Sequence, residues 1–273
     1  MNKTFSLLSL MFALLMGFVS CNSSVREPVD ERKSKDHGDP ISVVLTLTPG
    51  TLVNQVFTPQ LNPTMPQRSR QTIEYSLQKE IGWAPKAGSN AGFEVYQASE
   101  DPTQVYRLDI RYYDLEHKDI TYQFVENGQD KIHQHFFTAE NVKTADGTLE
   151  HKEVRSNAVF DYVYGDTDPW SQEMGNNGVR WIGKDNPIGF KGYFRFKQAR
   201  NFEINTRLMH ARISKYSRRD HTVSPFYAPT PGQRSEDAWD VTMRFPVSVS
   251  AASKTISLPV LMFLVNVSSI IET

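Results

Sequence analysis

The segment Val105-Tyr-Arg-Leu-Asp-Ile-Arg-Tyr-Tyr113 alternates between charged and apolar side chains. Its odd positions include Arg107, Asp109 and Arg111, whereas every even position from 106 to 112 carries Tyr, Leu or Ile. Successive side chains of a β-strand point to opposite faces, so this pattern predicts a strand with one face in a core and one face in water.

Similar β-branched or alternating segments recur along the chain. They predict further strands at 41–48, 132–137, 158–164, 189–196, 202–213, 240–249 and 256–267. Residues 41–48 are followed by Pro49-Gly50, which predicts the end of that strand. Residues 70–81 fit two structures equally well: a short helix, with Ile73, Leu77 and Ile81 spaced four apart, or a strand, with residues 73, 75 and 77 apolar.

Many short strands separated by Gly, Pro and Asn turns are typical of an all-β protein. We therefore expect an antiparallel β-sandwich, either a single one or two in tandem. The polar segment 138–152 is the candidate boundary. It would separate an N-terminal β domain at 41–140 from a C-terminal β domain at 150–273.

The composition excludes several classes of protein. The 273 residues carry 30 Lys and Arg against 31 Asp and Glu, a formal net charge of -1. This balance argues against a dedicated nucleic-acid-binding protein. A mean hydropathy of -0.47 argues against a polytopic membrane protein. With 39% hydrophobic residues, the chain can bury a sizeable core.

The N-terminus has the features of an export signal. Lys3 precedes an apolar segment from Phe5 to Val19, which is too short to span a bilayer and predicts a signal peptide over residues 1–20. Phe18-Val-Ser-Cys21 resembles the lipobox of bacterial lipoproteins, which implies acylation of Cys21, for example with palmitate. Residues 21–40 are charged and lack apolar periodicity, which predicts a flexible tether. Cys21 is the only cysteine, so no disulfide can form within the chain.

The lipobox, the tether and an aromatic-rich β chain together resemble outer-membrane lipoproteins of the Bacteroidota. This resemblance implies a lipid anchor in the outer membrane, at either its surface or its periplasmic face. It also implies cooperation with a TonB-dependent transporter in taking up a metal, haem or a glycan. It provides no catalytic residue.

Lys131-Ile-His-Gln-His-Phe-Phe137 contains the strongest candidate for a metal site. In a strand, His133 and His135 would point to one face with their Cα atoms about 6.6 Å apart. Two such imidazoles can coordinate zinc or copper, with His210 as the best third ligand and His117 as the next. A histidine could instead bind haem axially. The alternative is a pair of solvated histidines on a polar face, because a His-x-His pair alone is a weak motif.

Three other features have weaker functional interpretations. Asp161, Asp166 and Asp168 could bind calcium, but turn formation is the favoured interpretation. Trp170 and Trp181 could stack on a glycan or belong to the core. The basic residues in 212–221 are expected on a solvated loop. Motifs of α/β-hydrolases, P-loop proteins, dinucleotide-binding proteins and zinc proteases do not occur in the sequence.

The sequence thus leads to three hypotheses. The first is a non-catalytic, lipid-anchored protein that captures zinc, copper or haem through His133 and His135. The second is a glycan-binding or adhesive surface module without a metal site. The third is a zinc-dependent hydrolase, for which the sequence offers neither an ordered third ligand nor a general base.

Overall fold

The computed structural model describes residues 37–150 and 154–251, and this part of the chain is built mainly from β-strands. The strands are β1 (Ser42–Val53), β2 (Val56–Pro59), β3 (Gln71–Gln78), β4 (Gly82–Pro85), β5 (Phe93–Tyr96), β6 (Gln104–Tyr113), β7 (His133–Lys143), β8 (Phe160–Tyr164), β9 (Thr167–Asp168), β10 (Arg180–Trp181), β11 (Lys191–Phe196), β12 (Asn201–His210) and β13 (Ala238–Ser250). Two short helices are α1 (Ser156–Val159) and α2 (Pro231–Glu236), and 3₁₀ turns lie at Pro66–Arg68, Thr121–Phe124 and Gln129–Lys131.

The strands form two main sheets and a short ribbon. The large sheet has the order β4-β3-β1-β6-β11-β8, with β2 paired to β1, and the small sheet has the order β5-β13-β12-β7. Strands β9 and β10 pair separately. Neighbours in the two sheets are antiparallel except for β13 and β5, which are parallel. No helix within the described ranges is long and apolar enough to cross a membrane.

The two sheets pack face to face and share one hydrophobic core. Leu45, Ile110 and Phe194 of the large sheet belong to the same buried cluster as Phe137 and Phe245 of the small sheet. The rings of Phe137 and Phe194 meet across the core at 5.5 Å between centroids. The predicted all-β, antiparallel sandwich is therefore confirmed.

Both sheets take strands from both halves of the chain. In the large sheet β6 pairs with β11, and in the small sheet β5 pairs with β13, so each sheet joins strands from 41–140 to strands from 150–273. Strand β7 runs across residue 138, where a boundary was expected. The described strands thus form one sandwich, not two in tandem, because the apolar faces of the two segments cover each other.

The structure also resolves two local ambiguities. Residues 71–78 form strand β3, with Ile73 and Tyr75 buried, so the alternation in this segment outweighs its helical spacing. Strand β1 does not end at Pro49-Gly50. It continues to Val53 because its pairing changes from β3, up to Leu47, to β2, from Gly50 onward. The predicted strand at 256–267, Cys21 and most of the tether lie outside the described residues.

A buried polar contact joins the two sheets inside the core. Tyr112 on β6 and His135 on β7 are both fully buried, and the Tyr112 hydroxyl lies 2.7 Å from His135 Nε2. His135 Nδ1 donates to the carbonyl oxygen of Ile188 at 3.0 Å, which leaves Nε2 to accept the hydroxyl proton. Burial lowers the pKa of His135 to about 3 and raises the pKa of Tyr112 well above 10, so both partners are neutral.

We expect the substitution Tyr112→Phe to destabilise the fold by about 1–3 kcal/mol, because it leaves the buried His135 Nε2 without a partner. The measurement is the free energy of unfolding from denaturant titration. The neighbouring, partly exposed Tyr113 is the matched control, and Tyr113→Phe should change stability by less than about 0.5 kcal/mol. Equal effects of the two substitutions would contradict a structural role for the hydroxyl.

Candidate metal centre

Three polar side chains from adjacent strands meet on the inner face of the small sheet. His133 on β7 pairs directly with His210 on β12, and β12 pairs with β13, which carries Asp240. The His133 side chain is fully buried, and those of His210 and Asp240 are 4% and 11% exposed. This proximity arises from strand register, because the three residues are far apart in the sequence.

A β-bulge directs Asp240 toward this group. Met209 pairs with Trp239 and Leu208 with Val241, so Asp240 is an extra residue on β13. Trp239 packs with Met209 in a separate cluster, whereas Val241 is in the main core. The bulge lets Asp240 point inward next to an inward-facing residue, which regular alternation forbids.

His37 joins the group from the segment that precedes β1. Its ring packs on Phe124 at 4.1 Å between centroids, and its side chain is fully buried. The next residue fixes the segment, because the Gly38 amide donates to Gln123 Oε1 at 2.7 Å. His37 is therefore held by contacts to the 3₁₀ turn at 121–124 and not by a sheet ladder.

The four side chains place one nitrogen or oxygen each around a common point. Asp240 Oδ2 lies 3.1 Å from His133 Nε2, 3.3 Å from His210 Nδ1 and 3.4 Å from His37 Nε2. His133 Nε2 and His210 Nδ1 are 3.1 Å apart, and all four atoms lie within 4.8 Å of one another. Four zinc ligands with bonds of about 2.0–2.1 Å are separated by about 3.3–3.4 Å in a tetrahedron. The observed spacing approaches that of a tetrahedral zinc site.

Backbone carbonyls orient two of the imidazoles. His133 Nδ1 lies 2.9 Å from the Gln129 oxygen, and His37 Nδ1 lies 3.0 Å from the Gly38 oxygen. When Nδ1–H donates to these carbonyls, the lone pair of Nε2 in each ring points to the centre, as ligation requires. His210 presents Nδ1 instead, and its buried Nε2 has no hydrogen-bond partner among the described residues.

The electrostatics favour a charged carboxylate at Asp240 and a neutral imidazole at His133. Burial alone would raise the pKa of Asp240, but the adjacent imidazoles of His133, His210 and His37 outweigh this effect and hold the pKa far below its usual range. Burial lowers the pKa of His133, and the Asp240 charge opposes this only in part. A carboxylate and neutral imidazoles are the protonation states that bind a divalent cation.

A buried lysine supports the strand that carries His133. Lys215 Nζ donates to the His133 carbonyl oxygen at 3.1 Å and to the Pro187 oxygen at 2.9 Å. Burial lowers its pKa to about 7. The expectation of a solvated basic loop at 212–221 is therefore wrong at Lys215, because its ammonium group is sequestered by these two carbonyls.

The structure brings together only two of the four histidines expected at a metal site. His133 and His210 are in the cluster. His135 lies in the core against Tyr112, and His117 is exposed in a turn with a positive φ of 61°. Sequence reasoning missed His37, which lies in the expected tether, and Asp240, whose inward direction depends on a bulge. A histidine just before the first strand was the only signal for His37.

The three aspartates considered for calcium do not converge. Asp166 is buried and accepts hydrogen bonds from the backbone amides of Ile188, Gly189 and Lys191 at 2.6–3.1 Å. The other two pair with basic side chains, Asp168 with Arg180 and Asp161 with Lys197. These contacts support the structural interpretation of the segment.

The two tryptophans considered for glycan stacking do not form one platform. The Trp170 ring lies under the Arg111 guanidinium at 5.1 Å, and Trp181 stacks on Tyr164 at 5.6 Å between centroids. Trp170 lines a cavity of about 510 Å³, and Trp181 lines a separate one of about 70 Å³. Trp170 and Trp181 thus pack against different neighbours and do not present one shared surface for a glycan.

Comparison with known proteins adds no relative to these observations. No protein-family model, curated protein or solved structure matches this chain.

Proposed function

We propose that this protein is a lipid-anchored metal-binding protein of the cell envelope that captures one zinc ion through His37, His133, His210 and Asp240. The observation that carries the proposal is the convergence of three imidazole nitrogens and one carboxylate oxygen within 4.8 Å in a buried site. Buried carboxylates are costly unless they are paired or coordinate a metal.

The ligand set favours zinc over the other candidates. Imidazole and carboxylate ligands suit zinc, and a four-ligand tetrahedral arrangement is its usual structural geometry. Copper(II) accepts the same atoms but prefers a tetragonal arrangement. Haem iron takes one or two axial protein ligands, so four converging ligands do not fit a porphyrin.

The completeness of the ligand set favours binding over catalysis. Catalytic zinc sites usually have three protein ligands and leave the fourth position for water. Here a fourth protein ligand lies within 3.4 Å of Asp240 Oδ2. This supports the hypothesis of metal capture and weighs against the zinc-dependent hydrolase.

His37 suits a site that must both hold and release its ion. Three ligands belong to hydrogen-bonded strands, whereas His37 lies in the segment before β1 and can leave without breaking a sheet. It is 16 residues downstream of Cys21, the proposed lipid anchor. We propose that the domain acts at the outer membrane and transfers its ion to a TonB-dependent transporter, as the lipoprotein resemblance implies.

Purified full-length protein should bind one zinc ion per chain in equilibrium dialysis with elemental analysis. His133→Ala should lower the affinity by more than about 100-fold, because loss of a ligand exceeds the 10–100-fold effect of losing an outer partner. His117→Ala is the matched control, since His117 lies outside the cluster, and it should bind zinc like the wild type. Zinc bound equally by all three proteins would sink the proposal.

Zinc should also stabilise the fold. A ligand that binds only the native state adds about 2.7 kcal/mol at a free concentration 100 times its dissociation constant. We expect thermal unfolding at a higher temperature with zinc than with EDTA, and no such difference for His133→Ala. A wild-type midpoint that is insensitive to EDTA would contradict metal binding to the native state.

Zinc affinity should fall as the pH decreases. Ligation requires neutral imidazoles, whose ordinary pKa is about 6.5, so protons compete with zinc below this value. With three imidazoles in the site, we expect more than about tenfold weaker binding at pH 5 than at pH 7.5. Competition with a zinc-sensitive dye in matched buffers measures this difference, and equal affinities would exclude histidine ligation.

A further inference from the structure

The outer face of the small sheet carries a recess of about 790 Å³ that is rich in arginine. Its lining includes Arg155 at the start of α1, Arg207 on β12, Arg234 on α2 and the ring of Tyr227. We call it the arginine recess. Arg207 precedes His210 by three residues in the same strand, so it points to the opposite face from the metal cluster. The recess is therefore independent of the proposed zinc site.

The two carboxylates in the lining, those of Glu140 and Glu150, already interact with residues outside the recess. Glu140 accepts hydrogen bonds from Arg244 Nε at 2.7 Å and from Asn205 Nδ2 at 2.6 Å. Glu150 forms an ion pair with Arg200. Neither Arg244 nor Arg200 lines the recess. The carboxylates of Glu140 and Glu150 are thus paired with side chains outside the recess.

The arginines of the recess, in contrast, form no ion pair within 4.0 Å with any described residue. Arg207 stacks on Trp239 at 4.2 Å from the ring centroid, and its Nε is buried without a hydrogen bond. A buried donor without an acceptor costs free energy. Within one concavity, Arg207 Nε therefore lacks an acceptor, and the exposed Arg155 and Arg234 have no ion-pair partner among the described residues.

Like charges also oppose one another around Arg207. Burial lowers the pKa of Arg207. The negative charge of Glu140 raises this pKa, and the positive charges of Arg234 and Arg244 lower it further. An anion placed between these groups would relieve their repulsion. Guanidinium groups present forked donors that match the paired oxygens of carboxylates and phosphates.

We propose that the arginine recess binds an organic oxyanion, a carboxylate or phosphate group attached to a larger body. Its volume is within the range of about 300–1,000 Å³ that small-molecule sites occupy, far more than an inorganic anion fills. Arg155, Arg207 and Arg234 bind the charged group, and the Tyr227 ring offers a flat surface for the remainder of the ligand.

Three probes of similar size test this proposal on the full-length protein. Phenyl phosphate and benzoate carry the two oxyanions, and benzyl alcohol is their neutral counterpart. Isothermal titration calorimetry at constant ionic strength should give saturable binding of one or both anions, at least tenfold tighter than that of benzyl alcohol. The preferred anion identifies the phosphate or the carboxylate as the natural group.

Substitutions then locate the binding. Arg155→Gln combined with Arg234→Gln changes two exposed side chains and should weaken anion binding at least tenfold without loss of zinc binding. Arg218→Gln removes an exposed positive charge outside the recess and should have no effect. Equal binding of anions and alcohol, or an equal response of the double variant and Arg218→Gln, would overturn the proposal.

Discussion

The Asp240 carboxylate is the constraint around which the interior of the small sheet is arranged. A charged group that is only 11% exposed must be compensated, and three imidazoles lie within 3.4 Å of one of its oxygens. The sandwich accommodates this charge by a bulge in β13, and backbone carbonyls behind His133 and His37 accept hydrogen bonds from the Nδ1 atoms of these rings. The apolar core and the polar cluster thus occupy different parts of the same sheet face.

Alternation predicted the sheets because it is a local property of the chain. Residues 105–113 became β6 with the expected buried face, and most other predicted strands have counterparts within a few residues. The number of sandwiches could not be predicted in this way. It depends on β6 pairing with β11 and β5 with β13, and these long-range pairings have no local signature.

The candidate site shows the same division between local and non-local information. The His-x-His pair correctly placed two imidazoles in a strand, but burial of Tyr112 opposite His135 gave one of them a hydrogen-bond partner and left only His133 for the cluster. His210 was predictable as a histidine in a strand. The position of Asp240 could not be predicted, because a bulge turns its side chain to the inner face. The position of His37 could not be predicted either, because this residue lies outside the regular strands.

In the proposed metal-binding role, a metal ion and protons would compete for the same ligand atoms of the cluster. The buried Asp240 carboxylate carries one negative charge, which a proton on an adjacent imidazole would neutralise. A divalent cation replaces that proton and converts the cluster to a net positive charge. Zinc binding should therefore release the protons held by those imidazoles that are protonated before the ion binds. The negative charge of Asp240 would then be compensated by a divalent cation, which attracts it more strongly than a proton on an imidazole does.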